Sequence, residues 1–195
     1  LEAGFVGTRR QLEAIQQGAS EIFRRQALAM RHAIADHPQG IAPGIDRKRI
    51  LFTPNFAPRG EYEQALEQGV WVTLDNLFPL KQWAKAFKGK DLFVRIDTGQ
   101  GRGHHEHART AGAHSKFGIP LFEMDELVDS AKKAGARIVG LHAHTGSGVL
   151  TPEAWLDTGK QLLKLLEKLP DVRHIDVGGG LGVPEKTGQP GLDMR

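Results

Sequence analysis

Two short apolar strands in this chain run straight into glycine, and that junction limits what the fold can be. His174-Ile175-Asp176-Val177 leads into Gly178-Gly179-Gly180, and Arg137-Ile138-Val139-Gly140-Leu141-His142-Ala143-His144 leads into Thr145-Gly146-Ser147-Gly148. Consecutive glycines strip away every Cβ, so backbone N–H groups can close around an anion at the strand end. Two such junctions, one preceded by an imidazole, point to a site for a phosphorylated cofactor.

The rest of the chain supplies a scaffold for those junctions. Strands at 49–53, 70–75, 91–97, 136–144 and 172–177 alternate with helices near 59–68, 80–87, 122–134 and 151–169, which implies an α/β fold with a parallel sheet. Thr151 with Pro152 behind it predicts the start of the last helix, whose leucines Leu162, Leu163, Leu166 and Leu169 are core. Upstream, Thr8 and Gln11 have capping-box spacing and predict a helix carrying Leu12, Ile15, Ile22, Phe23, Met30 and Ile34.

Side-chain parity narrows the architecture. In 91–97, Leu92, Val94 and Ile96 share one face while Phe93, Arg95 and Asp97 share the other. In 136–144, Val139, Leu141 and Ala143 oppose Ile138, Gly140, His142 and His144; in 172–177, Ile175 and Val177 oppose Val172, His174 and Asp176. Each strand has one apolar face and one that turns polar toward its C-terminal end. A doubly wound sheet buries both faces, whereas a barrel gathers polar groups at its C-terminal mouth. The pattern predicts part of a (β/α)8 TIM-type barrel, because the strands are too few to close one and a whole barrel takes about 250 residues.

Composition excludes several function classes. A net charge of +3 over 195 residues is small and dispersed, which argues against nucleic acid. No apolar run could span a bilayer, no signal peptide opens the sequence, and the absence of cysteine fits a cytoplasmic setting. His104, His105, Glu106, His107 and His114 lack the spacing of a metal-binding array, so no metal is expected. A nicotinamide site is also weakly supported, since Gly178, Gly180 and Gly182 stand near the chain's end without the following helix and distal acid.

Three ordered stretches carry a family resemblance: His114-Ser115-Lys116-Phe117-Gly118-Ile119, then residues 140–148, then Asp176-Val177-Gly178-Gly179-Gly180-Leu181-Gly182. Together they resemble the alanine-racemase-like, pyridoxal-phosphate-dependent decarboxylases, and among these the diaminopimelate decarboxylases. Residues 52–59 and the loop 101–110 resemble the decarboxylase arm of bifunctional aspartate kinase–diaminopimelate decarboxylases. The resemblance implies a single barrel portion over 1–195, pyridoxal 5′-phosphate as cofactor, an amino-acid substrate, a homodimer in the intact protein, and decarboxylation of meso-diaminopimelate to L-lysine. It implies that His144 lies against the pyridoxal ring, that Ser147 with the backbone of Gly178, Gly179 and Gly180 binds the phosphate, and that Arg95 sits near the phenolic oxygen.

The family's cofactor-bearing lysine, on the first barrel strand in an Ala-x-Lys-Ala-Asn-like context, has no counterpart here, nor has its C-terminal β-domain. The expectation is a fragment with little activity alone. Lys116 stands in a loop motif rather than on that strand, and a structural or subunit-contact role suits it better.

Other readings stay open at this level. Strand histidines are ordinarily satisfied core residues, but the Gly-Ser-Gly after His144 favours function there, while for His142 both readings stand. Residues 178–180 could form only a tight turn, although three glycines exceed what a turn needs. Arg95 and Asp97 could simply pair with each other. The same barrel could serve ornithine, arginine or carboxypolyamine decarboxylation, or racemisation. It could also be a catalytically dead barrel acting as a binding or regulatory module.

Overall fold

A computed structural model describes residues 6–8, 46–99, 117–184, 188–189 and 191–192. The histidine-bearing loop, Lys116 and the helix expected after Thr8 lie outside the described residues. Thr8 itself ends a strand, β1 (Val6–Thr8). The remaining elements follow the expected alternation: β2 (Leu51–Phe52), α1 (Arg59–Glu67), β3 (Trp71–Leu74), α2 (Phe78–Gln82), α3 (Ala84–Phe87), β4 (Asp91–Asp97) and β5 (Ile119–Pro120). Then come α4 (Met124–Ala134), β6 (Arg137–His142), α5 (Glu153–Lys164) and β7 (His174–Asp176).

Strand order distinguishes the two parallel architectures. β2, β3, β4, β6 and β7 lie side by side in chain order, all parallel, with the short β5 added alongside β4. A doubly wound sheet reverses direction at a switch point. Here the winding runs one way only, so the described strands form a half-barrel with helices on its outer side. One pairing departs from the all-parallel expectation: β1 runs antiparallel along β7. β7 ends the parallel run, and its open row of N–H and C=O groups can accept a strand in either direction.

The outer face of the sheet and the inner sides of the helices share one core. Phe52, Val72, Leu74, Leu92, Val94, Ile96, Leu141, Ile175 and Val177 pack with Tyr62, Phe87, Leu127 and Leu162. α4 is amphipathic and stops at Gly135, whose φ of 67° lets the chain reverse while Ala136 N–H reaches back to the Ala131 carbonyl. The expected threonine cap on α5 does not form: Pro152 is the N-cap, with no side-chain cap bond, and Trp155 N–H bonds its carbonyl instead.

The inner face is narrower and begins with a second apolar cluster of Leu51, Phe93 and Val139, with Trp71 against it. The Phe93 ring stacks on His174 at 5.7 Å and meets Trp71 edge-on at 5.5 Å, forming a floor across β3, β4 and β7. The expected parity of β6 fails here. Leu92 pairs with Ile138, but Phe93 pairs with Gly140, so one extra residue bulges between them. Val139 therefore faces inward while Ile138 joins the outer core. Gly140 makes room for the floor: a Cβ there would overlap the Phe93 ring. Val172 likewise joins the outer core with Ile175, because β7 starts only at His174.

Candidate functional site

Above this floor, at the C-terminal ends of the strands, the inner face turns polar. Asp75, Arg95, His142 and Asp176 form a row across β3, β4, β6 and β7, exposed by only 1%, 7%, 5% and 2%. His142 pairs in register with both Arg95 and Asp176. Buried charges survive only when paired and hydrogen-bonded, and here acid, base, imidazole and acid alternate.

On the β3–β4 side, side chains build the site. Arg95 Nη1 donates to Asn55 Oδ1 at 3.2 Å and lies 3.6 Å from Asp75 Oδ1, while its guanidinium sits 4.9 Å over the Phe117 ring. Gly118 N–H donates to Asp75 Oδ1 at 3.2 Å. With φ at 85° it presses so near β4 that a Cβ would come within 2.7 Å of Asp97 N. The Phe117-Gly118 pair singled out in the sequence therefore braces Arg95 and Asp75. Asp75 Oδ2 is buried without a hydrogen-bond partner among the described residues. Burial pushes the Asp75 carboxyl above its ordinary range, against opposing pulls from Arg95, Gly118 N–H and His142. Arg95 and Asp97, weighed as a mutual pair, have other partners as well: Asp97 Oδ1 accepts from Gly99 N–H at 2.9 Å.

On the β6–β7 side, backbone builds it. After β6 and β7 end, their chains stay together: Ala143 N–H bonds the Asp176 carbonyl, Val149 N–H the Gly180 carbonyl, and Gly182 N–H the Val149 carbonyl. Gly178 and Gly180 hold φ values of 74° and 84°, which favour glycine. A Cβ on Gly178 would stand 2.9 Å from His144 Nδ1, and one on Gly180 would overlap the Gly146 carbonyl and lie 3.3 Å from Ser147 Cα. The two glycine junctions thus touch, with half-buried His144 and exposed Ser147 beside them. Other bonds refine the donor set. Gly178 N–H is already given to Asp176 Oδ1 at 2.8 Å, so of the three glycines whose backbone is expected at the phosphate, Gly178 has its N–H committed. Among the described residues, no backbone acceptor takes the N–H of Gly179 or Gly180.

Asp176 Oδ2 also lies 3.0 Å from His142 Nδ1, outside hydrogen-bond geometry, a contact that is an ion pair only when the imidazole is protonated. Sequence reading singled out neither Asp75, Asp176 nor Asn55 as part of a site. The two acids did carry a signal, since each lies on its strand's polar parity at the C-terminal end.

The chain is a singly wound parallel half-barrel with a bare-backbone cradle at its mouth, a shape that can hold an anion. The chain belongs to the pyridoxal-dependent decarboxylases, matching their pyridoxal binding domain over residues 39–195. Diaminopimelate decarboxylase of Methanothermobacter thermautotrophicus is 35% identical over 157 residues, covering 77% of this chain and 37% of the relative. Among solved structures, diaminopimelate decarboxylase from Helicobacter pylori complexed with L-lysine shares the fold at a TM-score of 0.70 and 21% identity, over 98% of this chain and 57% of that one. Arginine decarboxylase of Paramecium bursaria Chlorella virus, bound to agmatine, does so at 0.65 and 20% identity, over 98% and 58%. The chain spans a little over a third of the length of the curated relative, at 37%.

The cofactor implied is pyridoxal 5′-phosphate, and the residues present fit its phosphate end. The cradle is closed where a Cβ on Gly178 or Gly180 would stand, and it leaves two N–H groups without a backbone acceptor among the described residues. Every described lysine is exposed, so the lysine that the resemblance calls for is not among the inward-facing residues described.

Proposed function

We propose that this chain is the cofactor-holding barrel portion of a decarboxylase that converts meso-diaminopimelate to L-lysine and carbon dioxide. The observation that carries the reading is the contact between the two glycine junctions, Gly178 against His144 and Gly180 against Gly146 and Ser147. When bound, pyridoxal phosphate supplies a protonated ring that accepts the electron pair released as the carboxylate leaves.

The chain's own residues hold and orient. Gly179 and Gly180 N–H groups and the Ser147 hydroxyl grip the phosphate, and His144 lies against the ring. Arg95, fixed by Asn55 and Asp75, faces the phenolic oxygen. Gripping the phosphate at one end and the ring face along its length fixes the plane against which the scissile bond must stand. In the intact protein the proposal includes a homodimer and a cytoplasmic location. Both come from the resemblance to the decarboxylase family; separately, no described helix is long and apolar enough to cross a membrane.

The test is carbon dioxide release by the intact gene product from meso-diaminopimelate, L-ornithine and L-arginine side by side. Turnover of diaminopimelate at least about a hundredfold above the others, roughly 2.7 kcal/mol in barrier, supports the reading. Preference for either other substrate overturns it. This chain alone, treated with pyridoxal phosphate and borohydride, should retain no stoichiometric label.

A further inference from the structure

Both glycine junctions are tied from behind to one helix. Trp155 Nε1 donates to the Gly179 carbonyl at 3.1 Å, and the hydroxyls of Thr158 and Thr145 lie 3.0 Å apart, both contacts buried. Trp155 and Thr158 are three residues apart on α5 and so project from the same face. That face is the one turned to the sheet, since Trp155, Thr158, Gly159 and Leu162 are all buried.

The bond from Trp155 has a directional consequence. The Gly179 carbonyl and the Gly180 N–H belong to one planar trans peptide and point in opposite directions. Drawing the carbonyl toward α5 turns the Gly180 N–H away from the helix layer. Gly180 then faces the Gly146–Ser147 side of the cleft, against which it already packs. The neighbouring peptides are held separately: Gly178 N–H donates to the Asp176 carboxylate, and Val149 N–H donates to the Gly180 carbonyl. A run of glycines has the largest conformational freedom of any backbone, so an N–H aimed by outside bonds is worth more to a ligand than one that must be ordered on binding.

We infer that Trp155 is a positioning residue for the anion cradle, its indole N–H aiming the Gly180 N–H at the cofactor phosphate. This rests on reading the cradle as the phosphate site. The probes are pyridoxine 5′-phosphate and pyridoxine, which differ only by the phosphate and cannot form imines with surface lysines. Their dissociation constants are measured by calorimetry on the 195-residue chain.

Trp155→Phe should weaken the phosphate ester by about three- to tenfold, the scale of one hydrogen bond, while pyridoxine binding stays within about twofold. A merely structural role would weaken both alike, and that result, or no change in either, overturns the inference. Should the phenylalanine variant not fold, replacing the Trp155 indole by an isosteric benzothiophene removes the N–H while keeping the shape, and the same ratio is read. If the unaltered chain shows no preference for the ester over pyridoxine, the cradle reading itself fails, and this inference with it. If that preference is present but the variants retain it, only the role of Trp155 is lost.

Discussion

The two halves of the cleft are built by opposite means, one a partly exposed backbone mouth and the other a buried pair of side chains. At β6–β7, above the buried His142 and Asp176, the mouth is bare backbone, shaped by glycines that leave no room for a side chain and tied to α5 by Trp155 and Thr158. At β3–β4 the groups facing the site are charged side chains: Asp75, bonded by Gly118 N–H and near Arg95, and Arg95, held by Asn55 and Phe117. A backbone cradle supplies fixed dipoles without a net charge, which suits an anion. A buried ion pair supplies charge but carries a desolvation cost that only dense bonding offsets. On the proposed reading, the first half would govern affinity for phosphate and the second what happens at the ring.

The largest expected effect falls on what the halves share. Phe93 lies beneath both, touching Trp71 of β3 and His174 of β7. Phe93→Ala should cost about 3–5 kcal/mol by urea unfolding; a loss below about 1 kcal/mol would mean that the floor does not join the halves.

Next is Gly180→Ala, which adds a Cβ where the Gly146 carbonyl stands and forces a non-glycine residue to a φ of 84°. Together these should cost about 2–4 kcal/mol and reduce binding of pyridoxine 5′-phosphate by roughly a hundredfold. Arg95→Met should leave the preference for the ester over pyridoxine within about threefold, less than the worth of one hydrogen bond. Equal collapse of that preference in the two variants would break the division between the halves.

A pH series sharpens the charged half. Burial holds the Asp75 carboxyl above its ordinary range. An acid raised in the folded state stabilises the fold fully below its unfolded value of about 3.9 and loses that contribution as pH rises through the folded value. The wild-type chain should therefore lose stability relative to Asp75→Asn as pH rises from about 4 toward neutrality. A stability difference that stays flat across that window would show Asp75 ionising as freely as in the unfolded chain. The smallest effect belongs to Ser147→Ala, which should weaken the phosphate ester by about threefold; an exposed hydroxyl gives up good hydration to bind.

Legibility in the sequence followed the same division. The backbone half could be read directly, because a glycine triplet after an apolar strand serves little besides close approach to an anion or to another backbone. The parity of β4 likewise placed Arg95 inward. Parity failed in β6, where the bulge opposite Phe93 moved Val139 to the inner face, and a bulge leaves no mark in a pattern of alternating residues. For Asp75 parity marked the polar side of its strand but not its partner, Gly118, 43 residues away in the chain. Trp155 read as an ordinary helix residue, and only the packed helix brings its indole to Gly179.

The amino-acid order by itself determined the elements, their alternation and the chemistry available at the strand ends, because periodicity and glycine act locally. Only the tertiary structure decided which groups meet. The pairing of His142 with Asp176, the commitment of Gly178 N–H to a carboxylate, and the anchoring of both glycine loops to α5 depend on strands brought side by side. Distances across a sheet are set by winding and register, and those are properties of the assembled fold rather than of any one segment.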